Sequence, residues 1–231
     1  MPARPWIGRQ TWCDLLFAHW PMPVASVRHL VPASLEVDAF DRQTWIGLVP
    51  FRMEGVSIRG GPDLPWLSAF PELNLRLYVT RDGKPGVWFL SLDASNPLAV
   101  WAARRFFHLP YQHARMTVDV SQAGVDYRSQ RRRSPVAFAG AYRPTDAPYL
   151  SKPGSLEHWL TERYCLYAQD RRGGLLRCEV HHRQWPLQRA EASIHRNDML
   201  KPHEVLLPDT TPLLHFAKRL DVIVWAPQKV C

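Results

Sequence analysis

The residues best placed to do chemistry lie on one short segment, residues 70–80 (FPELNLRLYVT). Its side chains alternate with the period of a β-strand. Leu73, Leu75, Leu77 and Val79 share one face, and Glu72, Asn74, Arg76 and Tyr78 share the other. A carboxylate, an amide and a guanidinium at successive same-face positions stand about 7 Å apart stepwise. Facing an enclosed lumen, that row would orient a polar ligand and tune Glu72 as an acid or base. Facing water, it would be a solvated surface.

Ten histidines widen the field. His108 and His113 flank Tyr111, His181-His182 sits on an expected strand, and His19 lies between Ala18 and Trp20. A metal site needs imidazoles converging from one face, whereas strand spacings of one or five place them on opposite faces. Neither His-x-His nor His-Glu-x-x-His occurs, so no metal is expected. His19, His108 and His113 are better suited to acid–base or hydrogen-bonding roles, with Tyr111 among them.

Other chemistries find less support. There is no Gly-x-Ser-x-Gly elbow and no Ser-x-x-Lys, and neither GxGxxG nor GxxxxGK[ST] is present to cradle a phosphate. No cofactor is therefore expected. Cys165 and Cys178 lack an activating context and read as buried structural thiols. A Schiff-base lysine must be desolvated to be neutral near pH 7. Lys84, Lys152, Lys201, Lys218 and Lys229 fall in turns, before prolines, on an amphipathic segment or near the end. None lies in an apolar strand.

These groups need elements to position them. Residues 24–30 read as a short helix stopped by Pro32. LEVDAF and TWIGLVPFRM read as a hairpin around Asp41-Arg42-Gln43. VWFLSL follows the 81–86 turn as a strand. Asn96-Pro97 opens a helix that runs to Pro110. ARMTVDV, VDYRSQ and PVAFAGAYR are strands. Ser155 caps a helix over LEHWLTERYCLYA, whose Leu156, Trp159, Leu160, Tyr164 and Tyr167 form one stripe. LLRCEVHH is a strand, Thr211-Pro212 opens a last helix over LLHFAKRL, and DVIVW closes the chain as a strand. Helices set between mostly antiparallel strands indicate an α+β domain with a large curved sheet or barrel.

The chain has 231 residues, a net charge of +8 and no linker, which suits one domain. Arg131-Arg132-Arg133, with Arg128 nearby, is the one dense basic cluster, and it reads as a solvated hairpin end rather than a nucleic-acid surface. No run reaches the roughly 18 apolar residues of a membrane span. The N-terminus lacks the apolar core of a signal peptide, and the four cysteines form no Cys-x-x-Cys pair. A reduced cytoplasmic setting is expected, with no membrane partner.

Five stretches, from about Trp12 to Trp225, carry a family resemblance: LLFAHWPMPVASVRHLVPASLEVDAFDRQTWIGLVPFRM, SAFPELNLRLYV, GVWFLSLDASNPLAVWAARRFFHLPYQHARM, SLEHWLTERYCLY and LLHFAKRLDVIVW. Together they resemble the YqjF-type family of uncharacterised bacterial proteins, a branch of the acetoacetate decarboxylase-like superfamily. The resemblance implies one α+β domain over residues 1–231. The resemblance implies that this domain is a cone-shaped, largely antiparallel β-barrel with a central cavity and a few flanking helices. It also implies that Glu72 points into the cavity and that an arginine near the N-terminal helix, Arg28, lines it. Acetoacetate decarboxylases use an imine-forming lysine, but the comparable stretch here, Trp101-Ala102-Ala103-Arg104-Arg105, has none. Arginine stays protonated and forms no imine.

The leading expectation is a small-molecule-binding barrel, or an enzyme without imine chemistry, that takes a carboxylate or carbonyl compound. Arg28 and Arg76 would hold the ligand and Glu72 would act as acid, base or hydrogen-bond partner, with His19, His108, Tyr111 and His113 around them. A non-catalytic sensor or interaction module is the alternative, and a nucleic-acid binder through Arg131–Arg133 a weaker one. A homo-oligomer is compatible with the superfamily.

Overall fold

The computed structural model describes residues 1–61 and 68–230, so Cys231 lies outside the described residues. Strands dominate in chain order. They are β1 (Gly8–Met22), β2 (Glu36–Val37), β3 (Thr44–Ile58), β4 (Phe70–Arg81), β5 (Lys84–Ala94), β6 (Tyr111–Ser121), β7 (Gly124–Arg131) and β8 (Ala137–Pro144). There follow β9 (Tyr149–Leu150), β10 (Cys165–Gln169), β11 (Leu175–His182), β12 (Pro186–Asn197), β13 (Leu213–Val224) and β14 (Gln228–Lys229). Most neighbours are antiparallel; β10 and β6 pair with β5 in parallel. The order β5-β10-β11-β13-β1-β3-β4 returns to β5, closing a ring of strands. A second path from β5 through β6, β7, β8 and β12 reaches β13. The domain is thus a mostly β fold with a few short helices.

This closure buries both faces of β4. Leu73, Leu75, Leu77 and Val79 are fully buried and pack against Tyr127, Phe138 and Tyr142 of β7 and β8. Each such leucine contributes about 1.5–3 kcal/mol of burial. The opposite face is covered as well, by Phe17 of β1, Phe51 of β3, Tyr111 of β6 and Trp185. The polar row of β4 therefore does not face solvent.

Several expected elements take a different form. The helix opened by Ser155, whose hydroxyl accepts from the His158 amide at 3.3 Å, ends at Thr161. Glu162 leaves helical geometry, and Cys165–Gln169 becomes β10 between β5 and β11. Gly86 explains the fit: a Cβ there would stand 2.7 Å from Cys165 Sγ and 2.8 Å from Tyr167. LLHFAKRL is not a helix. With DVIV it makes the single strand β13, which pairs with β1 from Gly8↔Val224 to His19↔Leu213. A short apolar run is ambiguous by periodicity, and cross-strand partners decide it. β2 pairs with β4, not in a hairpin with β3, although Phe40 and Gln43 exchange both backbone hydrogen bonds across the turn. β1 and β12 were not expected as strands.

The remaining helices are shorter than their sequence runs. Residues 24–30 form one α-turn and a 3-10 turn. Asn96 caps the helix Pro97–Ala102, accepting from the Leu98 and Ala99 amides at 3.0 and 3.1 Å. The chain then widens into a π-turn over Ala103–Phe107 and ends on His108 at φ 55°. Among the described residues no helix is long and apolar enough to cross a membrane.

Arg131 corrects the basic cluster. It is buried, with Nε 3.0 Å from both Asp93 carboxylate oxygens and Nη2 2.8 Å from Ser91 Oγ, while Arg132 and Arg133 are exposed. A cation committed to a buried ion pair is not available to a polyanion. Arg131→Met is expected to lower stability by about 3–5 kcal/mol because it strands the Asp93 charge. Arg132→Ala and Arg133→Ala should each stay within about 0.5 kcal/mol of the parent in urea unfolding.

Candidate functional site

Five adjacent strands, β1, β3, β4, β5 and β6, present their side chains in rows. His19, Gly47 and Arg76 are consecutive partners across β1, β3 and β4, and Phe51, Glu72, Ala94 and His113 across β3, β4, β5 and β6. Gly47 supplies the space. A Cβ there would stand 3.1 and 3.2 Å from the His19 ring and 3.3 Å from Arg76 Cγ. The imidazole and the arginine stem meet over a residue with no side chain.

Glu72 is 2% exposed. The Tyr111 hydroxyl donates to its Oε2 at 2.8 Å, and the Asn74 amide also hydrogen-bonds to the carboxyl. Burial pushes the Glu72 pKa up to about 7, against the pull of these two donors and with the Asp93 charge adding to the rise. Near neutral pH the group is thus poised between acid and base. The same residue is pinned from the other side of the sheet, where the Tyr127 hydroxyl meets the Glu72 carbonyl oxygen at 2.7 Å.

Four residues along, Arg76 is half-buried, with its guanidinium 5.2 Å over the Phe17 ring. Its Nε and Nη2 donate to the Tyr78 hydroxyl at 3.3 and 3.2 Å, and Nη2 reaches the Leu160 carbonyl at 3.4 Å. No carboxylate pairs with it among the described residues. His19 is completely buried, and its Nε2 lies 2.6 Å from the Tyr78 hydroxyl. Among the buried side-chain atoms without a hydrogen-bond partner in the described residues are His19 Nδ1, Asn74 Oδ1 and His215 Nδ1. His215 pairs with Phe17 in the β1–β13 register, which puts it on the same face.

Of the residues expected to bind ligand, Tyr111 hydrogen-bonds to Glu72, and Arg76 and His19 meet at the Tyr78 hydroxyl. His113 shares the Glu72 row, half-buried, and its carbonyl accepts from the Arg132 amide. Arg28 donates to the Pro32 carbonyl at 3.0 Å and makes no contact with Glu72 or Arg76 among the described residues. His108 ends the π-turn in the left-handed region, and no contact joins it to Glu72 among the described residues. Sequence reasoning missed Gly47 and His215, whose partners lie on other strands, and it placed Asn74 and Tyr78 on the right face without a role.

Lysines are elsewhere. Lys84 pairs with Glu179, Lys201 with Asp198 and Lys218 with Asp14, while Lys152 and Lys229 are exposed. A surface groove of about 580 Å³ runs past Lys84, Arg177 and His181, and Glu179 pairs with both of its long cations. Among the described residues no three His, Cys, Asp or Glu side chains converge as a metal set.

Two outcomes follow from this packing. Gly47→Val is expected to destabilise by about 1–3 kcal/mol in urea unfolding, through overpacking against His19 and Arg76. Glu72 binds its proton more tightly folded (about 7) than unfolded (4.5), so stability falls as pH rises through that window and stays lowered above it. The melting temperature of Glu72→Gln should therefore gain on the parent between pH 5 and pH 8, by up to about 3 kcal/mol in stability. A constant difference would contradict the burial of an ionising carboxyl.

The fold has solved relatives. The chain aligns with an enduracididine biosynthesis enzyme, MppR, at a TM-score of 0.71 over 98% of this chain and 88% of that one. An acetoacetate decarboxylase from Legionella pneumophila aligns at 0.65 over 100% and 92%. An acetoacetate decarboxylase-like enzyme from Sphingomonas wittichii RW1 aligns at 0.69 over 99% and 94%. Each is 12% identical, so the likeness is one of fold. In sequence the chain is 48% identical to the uncharacterized protein YqjF of Bacillus subtilis (strain 168), over 99% of this chain and 95% of that protein. A family model described as an uncharacterized conserved protein, DUF2071, matches residues 9–221. On both grounds the chain belongs to the DUF2071 family, with YqjF among its relatives.

Proposed function

We propose that this protein binds a small carboxylate or carbonyl compound against the polar face of β4, inside the ring of strands. The ring would form a cone-shaped, largely antiparallel β-barrel whose central cavity receives the ligand. The observation that carries this reading is the buried row itself. Glu72, Asn74 and Arg76 lie with His19 and Tyr111 on a face where apolar packing would otherwise be cheaper. Arg76 offers an unpaired cation, and His19 Nδ1 and Asn74 Oδ1 offer unpartnered polar atoms. An apolar surround with a few convergent polar groups is the usual form of a small-molecule site.

Glu72 gives this site the means for proton transfer, because its carboxyl titrates near neutrality. A reaction at this site would proceed by general acid–base chemistry, with Arg76 holding the negative end of the ligand and Glu72 exchanging a proton with the other. Imine formation does not fit, since none of the five lysines contacts this row among the described residues. MppR, a fold relative, has been solved complexed with pyruvate, which makes pyruvate a sensible first probe.

The test is a thermal-shift screen of the parent, Glu72→Gln and Arg76→Met against pyruvate, other small keto acids and simple carboxylates. A ligand at a hundredfold excess over its Kd stabilises the fold by roughly 2.7 kcal/mol. Stabilisation of the parent that Arg76→Met abolishes and Glu72→Gln weakens is the expected result. Stabilisation equal in all three proteins would place the ligand elsewhere.

A further inference from the structure

His19, Tyr78 and Arg76 form a hydrogen-bonded chain whose proton positions can be deduced. Arg76 Nε and Nη2 both donate to the Tyr78 hydroxyl oxygen, at 3.3 and 3.2 Å. A guanidinium has donors only, so these two bonds take up the acceptor capacity of that oxygen. The single phenolic proton is left for the remaining neighbour, His19 Nε2, at 2.6 Å. Nε2 therefore accepts, and a neutral imidazole that accepts at Nε2 carries its own proton on Nδ1. Burial, with Arg76 and His215 nearby, holds the His19 pKa well below its ordinary value, so the ring is neutral.

That Nδ1–H is a fixed donor without an acceptor. The His19 side chain is wholly buried, and Nδ1 has no partner among the described residues. Buried donors are normally satisfied, so an orphan is a feature to be explained. Arg76 adjoins the His19 ring across Gly47, on the ring's Cδ2–Nε2 edge, and its hydrogen bonds go to two neutral oxygens, those of Tyr78 and Leu160. A half-buried cation without a carboxylate and a buried N–H without an acceptor thus belong to one face of the sheet. The geometry points to His19 Nδ1–H as the ligand-binding donor that, beside Arg76, takes an oxygen of an anionic ligand. Amines and other cations are excluded by the same pair. Tyr78 is then a positioning residue that sets the tautomer. This inference rests on the β4 face being the binding site.

The tautomer can be read without any ligand. In protein labelled with 15N-histidine, the His19 ring signals are those lost in His19→Gln. At pH 7 they should show a protonated Nδ1 and an unprotonated Nε2, and added pyruvate should shift Nδ1. A protonated Nε2, a charged ring, or an Nδ1 unmoved by a concentration of pyruvate that raises the melting temperature would overturn the assignment. Two variants separate the ring's two nitrogens. His19→Gln places its amide near Nε2 and should weaken pyruvate binding by about tenfold or more, the scale of a hydrogen bond to a charged group. His19→Asn places its amide near Nδ1 and should retain most of the affinity. Equal affinities in the two variants would also overturn it. If pyruvate does not stabilise even the parent, the functional proposal fails for that ligand, and the tautomer alone decides the role of His19.

Discussion

A strand buried on both faces must satisfy every polar group it carries, and β4 carries a carboxylic acid, an amide and a guanidinium. Its leucine face closes against Tyr127, Phe138 and Tyr142, and on the other face Glu72, Asn74 and Tyr78 are buried and Arg76 is half-buried. The surrounding structure answers this constraint group by group. Tyr111 crosses from β6 to Glu72, Tyr78 and Leu160 accept from Arg76, and Gly47 clears the space in which His19 reaches Tyr78. Apolar residues in those positions would pack with less desolvation, so a row of this kind points to a task beyond folding.

The other buried charges show what satisfaction looks like in this fold. Arg131 is clamped by Asp93 and Ser91, Asp14 receives both Arg52 and Lys218, and Arg163 reaches Asp38 at 2.5 Å. In each of these groups the arginine has a carboxylate partner, and the group reads as architecture. Arg76 has only neutral oxygen acceptors, and the nearest carboxyl on its own row, Glu72, holds its proton up to about pH 7. On the β4 face, then, a half-buried cation stands without a carboxylate partner among the described residues.

Much of this was legible in the sequence where the signal is local. The alternation of residues 70–80 gave the strand, its two faces and the chemistry of the row, and Asn96 and Ser155 marked their helix starts by their capping oxygens. The YqjF-type resemblance anticipated the fold relatives. Non-local information was not legible. Nothing within LLHFAKRL says that its partner is β1, and nothing within TERYCLYA says that Gly86 opens a slot for a strand. Arg131 looked like its two exposed neighbours because Asp93 lies 38 residues away. Gly47 had no apparent role until His19 and Arg76 were placed on either side of it.

The most direct measurement is a crystal structure of the protein with pyruvate, refined to locate the bound molecule. The account predicts density on the β4 face, with a carboxylate oxygen within hydrogen-bond distance of Arg76 and of His19 Nδ1 and the remainder directed toward Glu72. Pyruvate seated instead in the surface groove beside Lys84 and Arg177, with the β4 face unchanged, would contradict it.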